Sequence, residues 1–187
     1  MAVASSYVIM VTRRYAWRAS VLLQEILEAG LVAGLVGGVA MALFASIYSA
    51  AFGPGFFAPV EAIGSTVLRD AALASGPGPA IVGLAFHLLV SMFFGVVFAL
   101  VTPREVEPAP ALAFGLFGGM FALVIMSLVV VPLANPAASV KLMWGSSPGA
   151  VPVWVAVVMH LLFGAGLALA PGLRRRFHPL PSAEHLA

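Results

Sequence analysis

Apolar residues gather into four long runs, about Gly30–Phe52, Ala80–Val101, Ala111–Leu133 and Val151–Ala170, with the polar positions confined to the gaps. Each run has about the 20 residues needed to cross a bilayer as a helix. Proline and glycine close each one: Gly53-Pro54-Gly55, Pro103, Pro132 to Pro136, and Pro171-Gly172. The pattern therefore predicts an all-helical integral membrane protein with four transmembrane helices. Upstream, Val21, Leu22 and Ile26 recur at helical spacing beside Gln24, Glu25 and Glu28. That pattern predicts an amphipathic helix on the inner surface, the alternative being a cytoplasmic extension of the first span. The loop after the first span, Phe56-Phe57-Ala58-Pro59-Val60-Glu61, is unusually apolar, and Pro59 marks the start of a short helix reaching Thr66 or Leu68.

The four runs read as two copies of a two-helix unit. Gly34-Leu35-Val36-Gly37-Gly38 answers Gly115-Leu116-Phe117-Gly118-Gly119, and Ser46 answers Ser127 at the same offset. Pro59 answers Pro136 in the loops, and His87-Leu88-Leu89 answers His160-Leu161-Leu162 in the returning spans. Each unit has an even number of spans, so both copies share one orientation, related by a pseudo-two-fold axis along the membrane normal. The expected organisation is an N-terminal arm at 1–29, a first unit at 30–102, a linker at 103–110, a second unit at 111–171 and a basic tail at 172–187.

Small residues recur four apart and so line single helix faces: Gly34 and Gly38, then Gly83, His87, Ser91 and Gly95, then Gly115 and Gly119, then His160 and Gly164. In lipid, where apolar tails give no hydrophobic drive between helices, such faces bring backbones into van der Waals contact. Gly34, Gly38, Gly83, Ser91, Gly95, Gly115, Gly119 and Gly164 are the expected packing positions.

Composition agrees: 187 residues, 62% apolar, 9% charged, no cysteine and a formal charge of +2. Lacking cysteine, the chain has no disulfide, thiolate metal site, iron–sulfur cluster or covalently attached c-type haem. Arg13, Arg14 and Arg18 precede the first span, Arg104 follows the second, and Arg174, Arg175 and Arg176 follow the fourth, against Arg69 and Lys141 opposite. By the excess of Lys and Arg in cytoplasmic segments, both termini are expected inside. Trp17 falls near the inner interface, and Trp144 and Trp154 near the outer one. The arginines follow the short apolar run Tyr7–Val11, unlike a cleaved signal peptide. The positive charge reports topology and anionic lipid contact, and no nucleic acid or nucleotide partner is expected.

Candidate chemistry rests on His87 and His160, the only ionisable side chains deep within the spans, at equivalent places in the two units. An ionisable group is costly in hydrocarbon and needs a reason. One reason is structural: each imidazole bonds Ser46, Ser127 or a backbone carbonyl of a neighbouring helix. Another is a b-type haem or other tetrapyrrole on the pseudo-two-fold axis, with His87 and His160 as axial ligands and Ser46 and Ser127 taking their second ring nitrogens. A third is copper, with Met92 and Met159 supplying thioethers. Glu61 and Lys141 read as hydrated outer charges. Nucleophile–base pairs, the His-Glu-x-x-His pattern and a phosphate-binding loop are all missing, so catalysis by this chain is not expected.

A Gly-rich span, a Phe-x-Pro outer loop and a His-Leu-Leu span, given twice, resemble uncharacterised four-span membrane proteins of bacteria and archaea, over about Gly30 to Ala170. The resemblance implies a fold and transfers no activity. The expected role is a small non-catalytic subunit packed against a larger respiratory or photosynthetic electron-transport complex in the inner membrane. The alternatives are a bis-histidine b-haem electron-transfer protein and a carrier or channel for a small solute. Transport is disfavoured because the spans contain no carboxylate or lysine.

Overall fold

The computed structural model describes residues 2–68, 77–134 and 151–179, with the side chains of 1–19, 65–67, 131 and 134 outside that description. Among the described residues every regular element is a helix: α1 Ala2–Phe52, α2 Ala58–Leu68, α3 Gly78–Val101, α4 Pro108–Ile125, α5 Val131–Ala134, α6 Val153–Leu167 and α7 Ala170–Phe177. Four segments are long and apolar enough to cross a membrane: Ser20–Phe52, Gly78–Val101, Pro108–Val130 and Val153–Phe177. The chain is a multi-pass membrane protein.

Helix α1 runs unbroken for 51 residues, about 75 Å at 1.5 Å per residue. No break at Gly30 separates an arm from the first span, so the amphipathic segment continues α1. It ends in the Gly53-Pro54-Gly55 turn, where Gly55 adopts φ +141°, a conformation that costs a side chain far more than it costs glycine. Helix α2 is the short helix expected after Pro59. It lies against α3 so closely that a Cβ on Gly64 would collide with the Pro79 carbonyl, and one on Gly83 with the Val60 carbonyl. Gly83 therefore gives α2 room to close on α3.

The fourth span is interrupted at Ala168-Leu169 and restarts as α7, with Pro171 in its first turn, where a missing N–H leaves no helical bond unmade. Helix α4 passes into a π-helical stretch, Met126–Val130. Pro132 follows in α5, and its ring opposes the carbonyl four residues earlier, which favours a shift of hydrogen-bond register at this point.

Packing orders the spans α3–α1–α6–α4. In the α1/α3 pair, Gly34 faces the Ser91 backbone, Gly38 the Ser91 side chain and Gly95 the backbone of Gly30 and Gly34. In the α4/α6 pair, Gly115 faces Gly164, and Gly119 faces His160 and Gly164. The central α1/α6 contact uses another face of α1: Gly37 abuts Gly166, and a Cβ there would stand 2.6 Å from the Phe163 carbonyl oxygen. Ile26, Ala33, Phe98, Ala99, Ala122, Phe163, Leu167 and Ala170 form a continuous buried core. The end helices α3 and α4 meet only marginally. Between them, beside Leu167 of α6, lies a phenylalanine-lined groove of about 350 Å³.

Candidate functional site

His87 lies in α3 and His160 in α6. They are anchored differently. His87 Nε2 donates to the carbonyl of Gly38 on α1 at 3.0 Å, an interhelical bond. His160 Nδ1 donates to the carbonyl of Ala156 one turn earlier in its own helix, at 2.8 Å. A carbonyl only accepts, so these contacts assign the N–H to Nε2 of His87 and to Nδ1 of His160. His160, 8% exposed, holds the orientation common in ligating histidines, with Nδ1 on a carbonyl and, among the described residues, no hydrogen bond to Nε2. His87 has that nitrogen committed to Gly38.

Ser46 and Ser127 are both buried, yet the imidazole donors are taken by carbonyls. A helical carbonyl keeps a spare lone pair after its i+4 bond and lies closer to the ring. Ser127, 1% exposed and within the π-helical stretch, leaves its Oγ without a hydrogen-bond partner. The hydrogen bonds of the two rings thus run to Gly38 and Ala156 rather than to Ser46 or Ser127. Trp154 meets the Tyr48 ring edge-on, with centroids 5.6 Å apart. Lys141, Trp144, Arg69 and the second outer loop from Asn135 lie outside the described residues.

At the arginine-rich end of the bundle lies an ionic cluster that reading the sequence missed. Glu25, 4% exposed, accepts from Arg174 Nε at 2.8 Å on one carboxylate oxygen and from Arg104 Nη1 at 2.9 Å on the other. Arg174, equally enclosed, also donates to the carbonyls of Ala99 and Thr102 at 3.1 and 2.9 Å. Arg175 reaches the carbonyls of Arg104 and Val106. His178, whose carbonyl accepts from Arg104 Nη2, lies 3.1 Å from Glu28. One carboxylate on α1 thus ties the α3–α4 loop and α7 to the centre of the bundle. A signal existed. Glu25 continues the stripe of Ala29, Ala33 and Gly37, and Arg174 on α7 continues Phe163, Leu167 and Ala170, so the pair prolongs the α1/α6 contact into α7. Treating the arginines only as markers of topology hid the pairing.

Comparison with protein-family models, with curated proteins and with solved structures gives no match.

Proposed function

We propose that the chain is a small non-catalytic integral membrane subunit that packs within a larger energy-transducing electron-transport complex of the inner membrane, both termini cytoplasmic. The observation that carries this reading is the unequal self-burial of the spans. The membrane windows of α1 and of the α6–α7 segment are each 39% buried within the chain, those of α3 and α4 only 22% and 28%. Helices α3 and α4 thus keep the larger share of their span outside the chain's own contacts, with Leu89, Phe93 and Leu100 on α3 and Phe121 on α4 exposed, while α1 exposes Leu43 and Ile47 as well. In lipid such a face gains from meeting shaped protein surface through dispersion contacts.

A tandem two-helix repeat belongs to the same reading. It is supported by contacts that keep the sequence register: Gly34 meets Ser91 where Gly115 meets Gly164, and Gly38 meets Ser91 where Gly119 meets Gly164.

The test is site-specific photocrosslinking in native membranes, with benzoylphenylalanine at Phe93 on α3 and at Ile47 on α1. The reading expects a discrete adduct with an electron-transport subunit from position 93 and none from 47. Lipid adducts alone at both positions, with the protein migrating as a lone chain, would refute it.

A second reading, a tetrapyrrole held by His87 and His160, draws support from the free Nε2 of His160. It requires His87 to exchange the Gly38 carbonyl for iron, because the present bond occupies the nitrogen that mirrors His160. Visible bands in the purified protein that vanish in both His87→Ala and His160→Ala would establish it. A colourless protein, before and after haem reconstitution, would end it.

A further inference from the structure

Helix α7 caps a helix to which it is not joined. The last carbonyls of a helix lack an intrahelical N–H, and at the end of α3 the residue four beyond Ala99 is Pro103, which has none to give. Arg174 Nη1 supplies the missing donor to Ala99 at 3.1 Å and reaches the Thr102 carbonyl at 2.9 Å. Arg175 Nη1 does the same for Arg104 and Val106, at 2.7 and 3.0 Å. A guanidinium keeps its charge at every pH a cell meets, so these contacts and the Glu25 pair hold the middle of α7 under all conditions.

The end of α7 is held by different chemistry. His178, which closes the helix, places Nε2 3.1 Å from one Glu28 carboxylate oxygen on α1, while the other oxygen accepts from Gln24 at 2.7 Å. The His178 side chain is 22% exposed and that of Glu28 44%, so protons reach the pair. Imidazole is the side chain that changes charge between about pH 5 and 8. We propose that this pair is a proton-operated clasp: protonated His178 holds Glu28, and loss of the proton lets the last turn of α7 part from α1 while Arg174 stays docked.

Contact sets the direction. An imidazolium bonds a carboxylate more strongly than a neutral ring does. On α1 the charged neighbours are Glu28 and Glu25. In the α3–α4 loop Arg104 donates to the His178 carbonyl and is itself met by Glu25 and Glu105. On α7 Arg174 is paired with Glu25, Arg175 lies on its two carbonyls and Arg176 is exposed. The arginines oppose the proton, but each is engaged elsewhere or hydrated, whereas Glu28 touches the ring, and attraction falls with distance and with screening. The clasp therefore closes as pH falls and opens as it rises.

The clasp is independent of the proposed complex and is tested on the purified full chain in nanodiscs. The chain has no cysteine, so Phe177→Cys, at a position 41% exposed, takes a single spin label near the clasp. Gly172→Cys, where a side chain meets open space, takes one at the docked start of α7. We expect the ratio of mobile to immobile label at 177 to rise about threefold from pH 5 to pH 8, the size of an exposed ion pair. The label at 172 should not respond. His178→Gln and Glu28→Gln, which keep a hydrogen-bonding group and lose the charge, should each abolish the rise. A ratio at 177 that is constant or falls as pH rises would overturn the proposal. So would a rise that persists in His178→Gln, or one that the label at 172 shares. Should Glu28→Gln not fold, His178→Gln decides alone.

Discussion

The α1/α6 and α3/α4 boundaries occupy corresponding places in the proposed repeat, yet one is the core of the molecule and the other a gap. On the closed side Ala33, Leu167 and Ala170 are fully enclosed and the Glu25–Arg174 pair caps the contact. On the open side Phe117 is 73% exposed, and the register of the proposed repeat matches Val106 to Glu25 and Val101 to Arg174. In water, phenylalanines would drive such a gap shut. In hydrocarbon they do not, since lipid tails solvate them as well as protein does, and close approach of backbones decides which helices adhere. Small residues let the backbones of α1 and α6 touch at Gly37 and Gly166, and Phe163 and Leu167 fill the space beside that contact.

That comparison breaks most sharply at the two matching glycines. In Gly37→Leu the new Cβ meets the Phe163 carbonyl oxygen at 2.6 Å, backbone against backbone. In Gly118→Leu the nearest atoms are the tip of the Phe98 ring and a Leu167 methyl, which can turn aside. We expect Gly37→Leu to abolish a monodisperse folded peak in size-exclusion chromatography and Gly118→Leu to keep it. The same outcome from both would erase the distinction between the boundaries.

The charged cap is expected to have the next largest effect. Removing one partner of a buried pair leaves the other charge uncompensated, at a cost of about 3–5 kcal/mol. Glu25→Ala strands Arg174 and unties Arg104, so its Tm in detergent should fall by many degrees. Glu25→Ala combined with Arg174→Met removes both charges and should recover most of the loss. A double variant no better than Glu25→Ala would mean that the carboxylate matters through Arg104 and not through the α1/α6 contact. An equivalent change at Val106, Val106→Ala, lies on the open side and should move Tm little.

The four spans were legible because apolar length alone marks them. The packing glycines were legible because only small residues recur four apart on one face. Periodicity names the face on which Gly83 lies and says nothing of what covers it, which is α2 at Val60 and Gly64. Helix α2 followed from Pro59. The continuity of α1 did not follow from the pattern, since an amphipathic stretch looks the same whether it lies on the membrane or prolongs a span. The ionic cluster was hidden because Glu25 and Arg174 are far apart in sequence. His87 and His160 were found, but which nitrogen each commits depends on local carbonyl geometry that spacing does not encode. The open boundary was hidden most deeply, because it appears only when unlike residues at matching positions of the two units are compared.

The smallest effect separates the two histidines themselves. His87 ties α3 to α1, whereas the His160 bond closes within α6 and joins no second helix. Interhelical side-chain bonds in membranes contribute about 1 kcal/mol. His87→Leu, which keeps much of the volume and deletes the donor, should therefore lower Tm measurably, while His160→Leu changes it less, because the Ala156 carbonyl keeps its helical partner. Equal losses from both substitutions would show that His160, too, binds something outside its own helix, and would shift the weight of the candidate site toward its free Nε2.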